Sequence, residues 1–168
     1  MKNKIVFLLI VCLFSVIETF GQKASKQGKI CGNPNIKCKT DKNLFEPNEI
    51  PFETSTNFAI FESQTFYAVI LKSKRVADIF ADDNNCKNVA SEEKRLNVQK
   101  LFPNNKVFTQ NCGYNNLYYT GIQNFTVFIA VYGGRTLAEA QNFLKTVKQK
   151  SEFEGAYIKK MQAQFNGT

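Results

Sequence analysis

Two stretches of this chain carry the same order of folding signals. In the later one, the apolar strand Thr126–Tyr132 runs into Gly133-Gly134 and then Thr136-Leu137-Ala138-Glu139, a capping box whose Thr and Glu satisfy each other's orphan backbone donors. Ala140, Phe143, Leu144 and Val147 recur at helical spacing, and Lys145, Lys148 and Lys150 load the negative end of that helix. Gly155 then releases the chain into a last strand, Ala156–Met161. In the earlier stretch, the strand Phe66–Leu71 passes through a polar loop to a helix opening near Ser91, with Glu92 and Glu93 in its first turn. Pro103 marks its end, and the strand Lys106–Cys112 follows. The result is βαβ followed by βαβ, with Leu117–Gly121 as an extra strand or loop between them. That order predicts an α+β domain of the ferredoxin-like or ribonucleoprotein-like kind, a four-stranded antiparallel sheet with two helices on one face.

The first residues read differently. Lys2 and Lys4 precede an apolar run from Ile5 to Ile17, and Glu18 and Thr19-Phe20-Gly21 come before Gln22. This is the order of a cleavable secretory signal over 1–21, and the run is too short for a membrane span of about 20 residues. Residues 22–43, rich in Lys, Asn and Gly, read as a tail, and 44–168 as the domain with an N-terminal extension. Within that extension Leu44–Phe61 is aromatic-rich but broken by Pro47 and Pro51, which predicts one or two short edge strands. No second apolar stretch reaches membrane length, so the expected location is periplasmic or extracellular.

Cys12 leaves with the signal, and Cys31, Cys38, Cys86 and Cys112 enter an oxidising compartment where disulfides are expected. Three pairings are open to four cysteines. The strand ending at Cys112 must return antiparallel to the helix that begins just after Cys86, which brings those two together; Cys31 and Cys38 then pair by elimination. With no histidine and no C-x-x-C pair, a metal site is not expected.

The stretch from Phe66 to Met161 resembles the SPOR domain family. The similarity is best in Val127-Phe128-Ile129-Ala130-Val131-Tyr132, in Leu137-Ala138-Glu139-Ala140 through Phe143-Leu144-Lys145, and in Gly155-Ala156-Tyr157-Ile158, with Phe66–Ser73 as a weaker counterpart. The resemblance implies a βαββαβ fold that binds peptidoglycan glycan strands stripped of their peptides, without chemistry or cofactor. It departs from the family pattern at Ile70 and Lys72, and at Ala130 and Tyr132, where family strands place a Gln or Arg and a following Gly.

Strand alternation sorts the residues into two faces. If Tyr67, Val69, Leu71, Ile129 and Val131 meet the helices, then Phe66, Ala68, Ile70, Phe128, Ala130 and Tyr132 line the opposite face. Two fates are open for so apolar a surface. Its rings stack on sugar, with Lys72 supplying a polar contact, or the segment Leu44–Phe61 folds over it and buries it. The first makes the chain a glycan-binding module; the second makes it a secreted or periplasmic module that binds an envelope protein or serves a structural role.

Charge and side-chain chemistry add limits. Lys and Arg outnumber Asp and Glu by 22 to 14, a formal net charge of +8, which favours anionic partners such as cell-wall carboxylates, while export argues against nucleic acid. Solubility alone is the other reason for such a surface. Catalysis without histidine would fall to paired carboxylates, a Ser/Lys dyad or a cysteine. Asp82-Asp83 and Glu92-Glu93 are sequence neighbours that do not converge on one atom, and read as a solvated loop and a helix cap. Gly133-Gly134 lacks the spacing and the Lys-Ser/Thr of a phosphate loop. Asn124-Phe125-Thr126 and Asn166-Gly167-Thr168 fit the N-glycosylation pattern. The expectation is a protein that is not an enzyme.

Overall fold

A computed structural model describes residues 45, 49–54, 59–77, 83–110, 112 and 117–166. The signal, the tail and the Cys31–Cys38 pairing lie outside the described residues. The fold is α+β, with two antiparallel four-stranded sheets where a single ferredoxin-like sheet was expected. The larger sheet has the order β4-β6-β3-β7, from β3 (Phe66–Arg75), β4 (Val107–Gln110), β6 (Thr126–Gly134) and β7 (Tyr157–Met161). The second has the order β1-β2-β8-β5, from β1 (Phe52–Thr54), β2 (Ile60–Ser63), β5 (Leu117–Tyr119) and β8 (Ala163–Asn166). Helices α1 (Asp83–Ala90), α2 (Glu92–Leu101) and α3 (Leu137–Lys148) lie with the larger sheet, and a 3-10 turn spans Ser151–Phe153.

The central strand β6 shows why two layers are needed. All nine of its residues are buried. A strand with one wet face alternates apolar and polar; an unbroken apolar run must be covered on both faces. Val127, Ile129 and Val131 meet Val89, Val147 and Phe153 in a helix-side core. Phe128, Ala130 and Tyr132 meet Leu117, Tyr119 and Ala163 of the second sheet, together with Phe45 and Ile50.

Irregularities in pairing set the faces. Ile70 pairs with Ala130 but Lys72 pairs with Ile129, so Leu71 is the extra residue of a β-bulge in β3. The bulge breaks the alternation that had placed Lys72 beside Ile70, and Lys72 ends on the helix side with Ile129. A second shift falls between Tyr67 and Ala68, opposite Gly133-Gly134. Those glycines close β6 instead of forming a free turn. A Cβ on Gly133 would stand 3.1 Å from the Ala140 side chain, so the residue lets α3 approach its strand.

Both helix starts follow their local signals. Thr136 and Glu139 form the capping box of α3, and the Ser91 hydroxyl accepts from Lys94 N at 3.3 Å to cap α2. The stretch read as a polar loop contains α1, whose Cys86, Val89 and Ala90 are buried at i, i+3 and i+4.

Helix α2 buries Arg95 and Gln99 while leaving Leu96 38% and Leu101 40% exposed. The inversion serves the edge strand β4. Gln99 Oε1 accepts from Val107 N at 2.9 Å, and its Nε2 donates to the carbonyls of Phe102 and Asn105 at 2.9 and 2.8 Å. Arg95 donates to Val107 O at 3.3 Å and to both carboxylate oxygens of Glu92 at 2.6 and 2.7 Å. Side chains therefore occupy backbone groups at which another strand would add.

The chain crosses between sheets at tight corners. Only Gln162 separates β7 from β8; it donates through Nε2 to Ser63 O at 3.1 Å, while Ala163 N donates to Ser63 Oγ at 2.9 Å. Gly121, at φ 79°, passes so close to β7 that a Cβ would lie 2.1 Å from Lys160 O. Cys86 and Cys112 lie at disulfide distance, with Cα atoms 5.5 Å apart, between α1 and the segment after β4.

Candidate functional site

Phe66, Ala68, Ile70, Phe128, Ala130 and Tyr132, the residues assigned to glycan contact by strand alternation, share one face and are all buried in the inter-sheet core. Phe45 sits over them, its ring centroid 5.3 Å from Phe66, 4.9 Å from Phe108 and 6.4 Å from Tyr132. Lys106 Nζ stands 5.0 Å above the Phe45 ring and pairs with the Glu49 carboxylate, so the cover is tied down by an ion pair. Ring stacking on a sugar needs an open face, and this face is closed. Burial also holds the Tyr132 phenol at about 12 and pushes that of Tyr119 higher still.

A concave surface opens instead at the rim between the layers. It is a slot of about 230 Å³ lined by Gln110 at the end of β4, Tyr118 and Tyr119 of β5, Thr126 at the start of β6, and Ile122, Gln123, Asn124 and Phe125 between them. No lining residue is charged. Its polar groups are three amides, a hydroxyl and two phenols; its apolar surface is largely aromatic. The Tyr118 hydroxyl donates to Asn166 Oδ1 at 2.8 Å, and the buried Tyr119 hydroxyl has no hydrogen-bond partner among the described residues.

Phe125 is the unusual member. It is 46% exposed and has φ 57°, a left-handed conformation that costs a residue with a Cβ about 1–2 kcal/mol. Its carbonyl accepts from Val76 N at 2.8 Å, which anchors the turn to the end of β3. An exposed ring on strained backbone contributes little to the core.

A second concavity lies on the helix side. It is a cleft of about 460 Å³ between α2 and the 3-10 turn, floored by Leu71, Ile129, Val89, Val98 and Phe153, with Lys72, Lys94, Asn97, Leu101 and Glu152 around it. Lys72 thus lines this cleft, on the opposite side of the sheet from the residues with which it was grouped. Strand alternation could not have found the rim slot, because three separate segments build it (Gln110, Tyr118-Tyr119 and residues 122–126) and one of them belongs to the second sheet. The one local signal was a bulky aromatic after Asn124, where the left-handed region favours Gly or Asn.

No helix among the described residues is long and apolar enough to cross a membrane. No protein-family model, no curated protein and no solved structure matches this chain.

Proposed function

We propose that this chain is an exported, non-catalytic module of the bacterial cell envelope that binds peptidoglycan glycan strands, and that it holds the sugar in the rim slot instead of on the sheet face. The observation that carries the reading is Phe125, a half-exposed ring kept in left-handed backbone at an uncharged slot that also holds Tyr118 and three side-chain amides. Sugars present apolar C–H faces beside neutral hydroxyls, and rings with amide donors and acceptors complement both. Strain retained at an exposed position points to use in binding. The larger sheet, in the order β4-β6-β3-β7, puts β3 and β6 at the centre, the arrangement of any βαββαβ unit. The SPOR family's sheet-face site is not part of the proposal, because the second sheet occupies that face.

The test is co-sedimentation with peptidoglycan made peptide-free by amidase. Wild type is expected to be retained, and Phe125→Ala and Tyr118→Ala to lose at least about tenfold in affinity, which is about 1.4 kcal/mol. Equal retention of Phe125→Ala would remove the slot from the reading. A second reading, a module for an envelope protein, is favoured by the covered sheet face; it predicts that wild type is not retained at all.

A further inference from the structure

We infer that the helix-side cleft is a second site, one that takes a long-chain carboxylate. The cleft is about 460 Å³, inside the range of small-molecule sites at about 300–1,000 Å³. It exists because α2 and α3 meet through Phe102, whose ring lies 5.7 Å from Phe143 and 5.9 Å from Phe153, while α2 spends its inward face on Arg95 and Gln99. That orientation leaves Leu101 at the cleft and 40% exposed. The floor is aliphatic and aromatic, suited to an acyl chain and offering it no polar group to desolvate.

The rim selects the sign of the head group. It carries two ammonium groups, Lys72 and Lys94, against one carboxylate, Glu152. Lys94 donates to Asn88 O at the end of α1, while Lys72 makes no ion pair among the described residues. The β-bulge at Leu71 is what turns Lys72 to this side. An unpaired ammonium beside a greasy floor complements an anionic head on an apolar tail. The rim asparagine, Asn97, adds a neutral donor beside Lys94 on the same helix.

The site is independent of the glycan slot and is tested apart from it. The mature chain is titrated calorimetrically with octanoate and decanoate below micelle formation, with decan-1-ol and decyltrimethylammonium as probes of charge. Decanoate is expected to bind saturably at one site, and affinity to rise by up to about fourfold for each methylene buried. Lys72→Glu, at an exposed position, is expected to weaken decanoate at least tenfold, and Lys72→Arg to retain it. Decan-1-ol is expected to bind more weakly than decanoate, and the cation least. Unsaturable binding, equal affinity for decanoate and the cation, or an unchanged affinity in Lys72→Glu would each overturn the inference. Retention on denuded glycan is expected to be the same for Lys72→Glu as for wild type, so either site can fail without the other.

Discussion

Replacing Phe45 by alanine removes the ring that closes the inter-sheet core from its N-terminal side. The residue is 2% exposed, and its ring meets Phe66, Phe108, Tyr119 and Tyr132 with centroids between 4.9 and 6.4 Å away. Truncating a buried phenylalanine costs about 3–5 kcal/mol, and aromatic pairs of this geometry add about 0.5–1.5 kcal/mol beyond area alone. The lost cation–π contact with Lys106 adds to the cost, whereas relaxation of the covering segment into the gap reduces it. The expected loss is therefore about 3–4 kcal/mol. Urea unfolding followed by circular dichroism measures it; with a slope of about 1–3 kcal/mol/M the midpoint falls by at least about 1 M. The hydrophobic dye ANS should also bind the variant more strongly at sub-denaturing urea, as the apolar face opens. An unchanged midpoint with no dye binding would mean that Phe45 does not cover the sheet, and the account of the closed face would fail.

Other perturbations separate structural from binding roles. Phe125→Gly is expected to raise stability by about 1 kcal/mol by relieving left-handed strain while weakening glycan binding, a split read by urea unfolding and co-sedimentation. Gln99→Leu leaves the Val107 N–H without its partner and should cost about 2–3 kcal/mol; a loss below about 0.5 kcal/mol would show the β4 edge to be satisfied by other means. Reducing the Cys86–Cys112 bridge, which closes a separation of 26 residues, should cost roughly 3 kcal/mol, measured with and without a strong reductant. Burial raises the phenol pKa values of Tyr119 and Tyr132, so the fold favours their neutral forms. Their contribution is complete below the unfolded value of about 10 and is lost as pH rises towards 12. The urea midpoint should fall between pH 9 and 11.5, and less steeply in Tyr132→Phe.

Much of the larger sheet was legible because its signals are local. Thr136 and Glu139 announce α3, Ser91 with Glu92 announces α2, and the apolar runs of β3 and β6 are long enough to be read as strands. The division of those strands into Val69, Ile129 and Val131 on one side and Ala68, Phe128 and Ala130 on the other also follows from alternation. Alternation stopped being informative at Leu71, where one inserted residue reversed the side of Lys72; a bulge is set by what the partner strand packs against. The second sheet was harder still. Its strands are three or four residues long, and β8 follows β7 after one residue, so no turn signal separates them. Nothing local pairs Phe61 with Phe165 or Leu117 with Phe165; burying the apolar face of β6 does. The slot inherits that opacity, since Tyr118 and Tyr119 reach its lining through β5 of the second sheet.

The most direct test is residue-resolved NMR of residues 22–168 titrated with denuded glycan oligomers. The account predicts shifts confined to Gln110, Tyr118 and the Ile122–Thr126 turn, with the methyl signals of Ala68, Ile70 and Ala130 unmoved. Shifts or line broadening at Ala68, Ile70 and Ala130, with the turn unaffected, would contradict it by showing that the sheets part to admit the sugar.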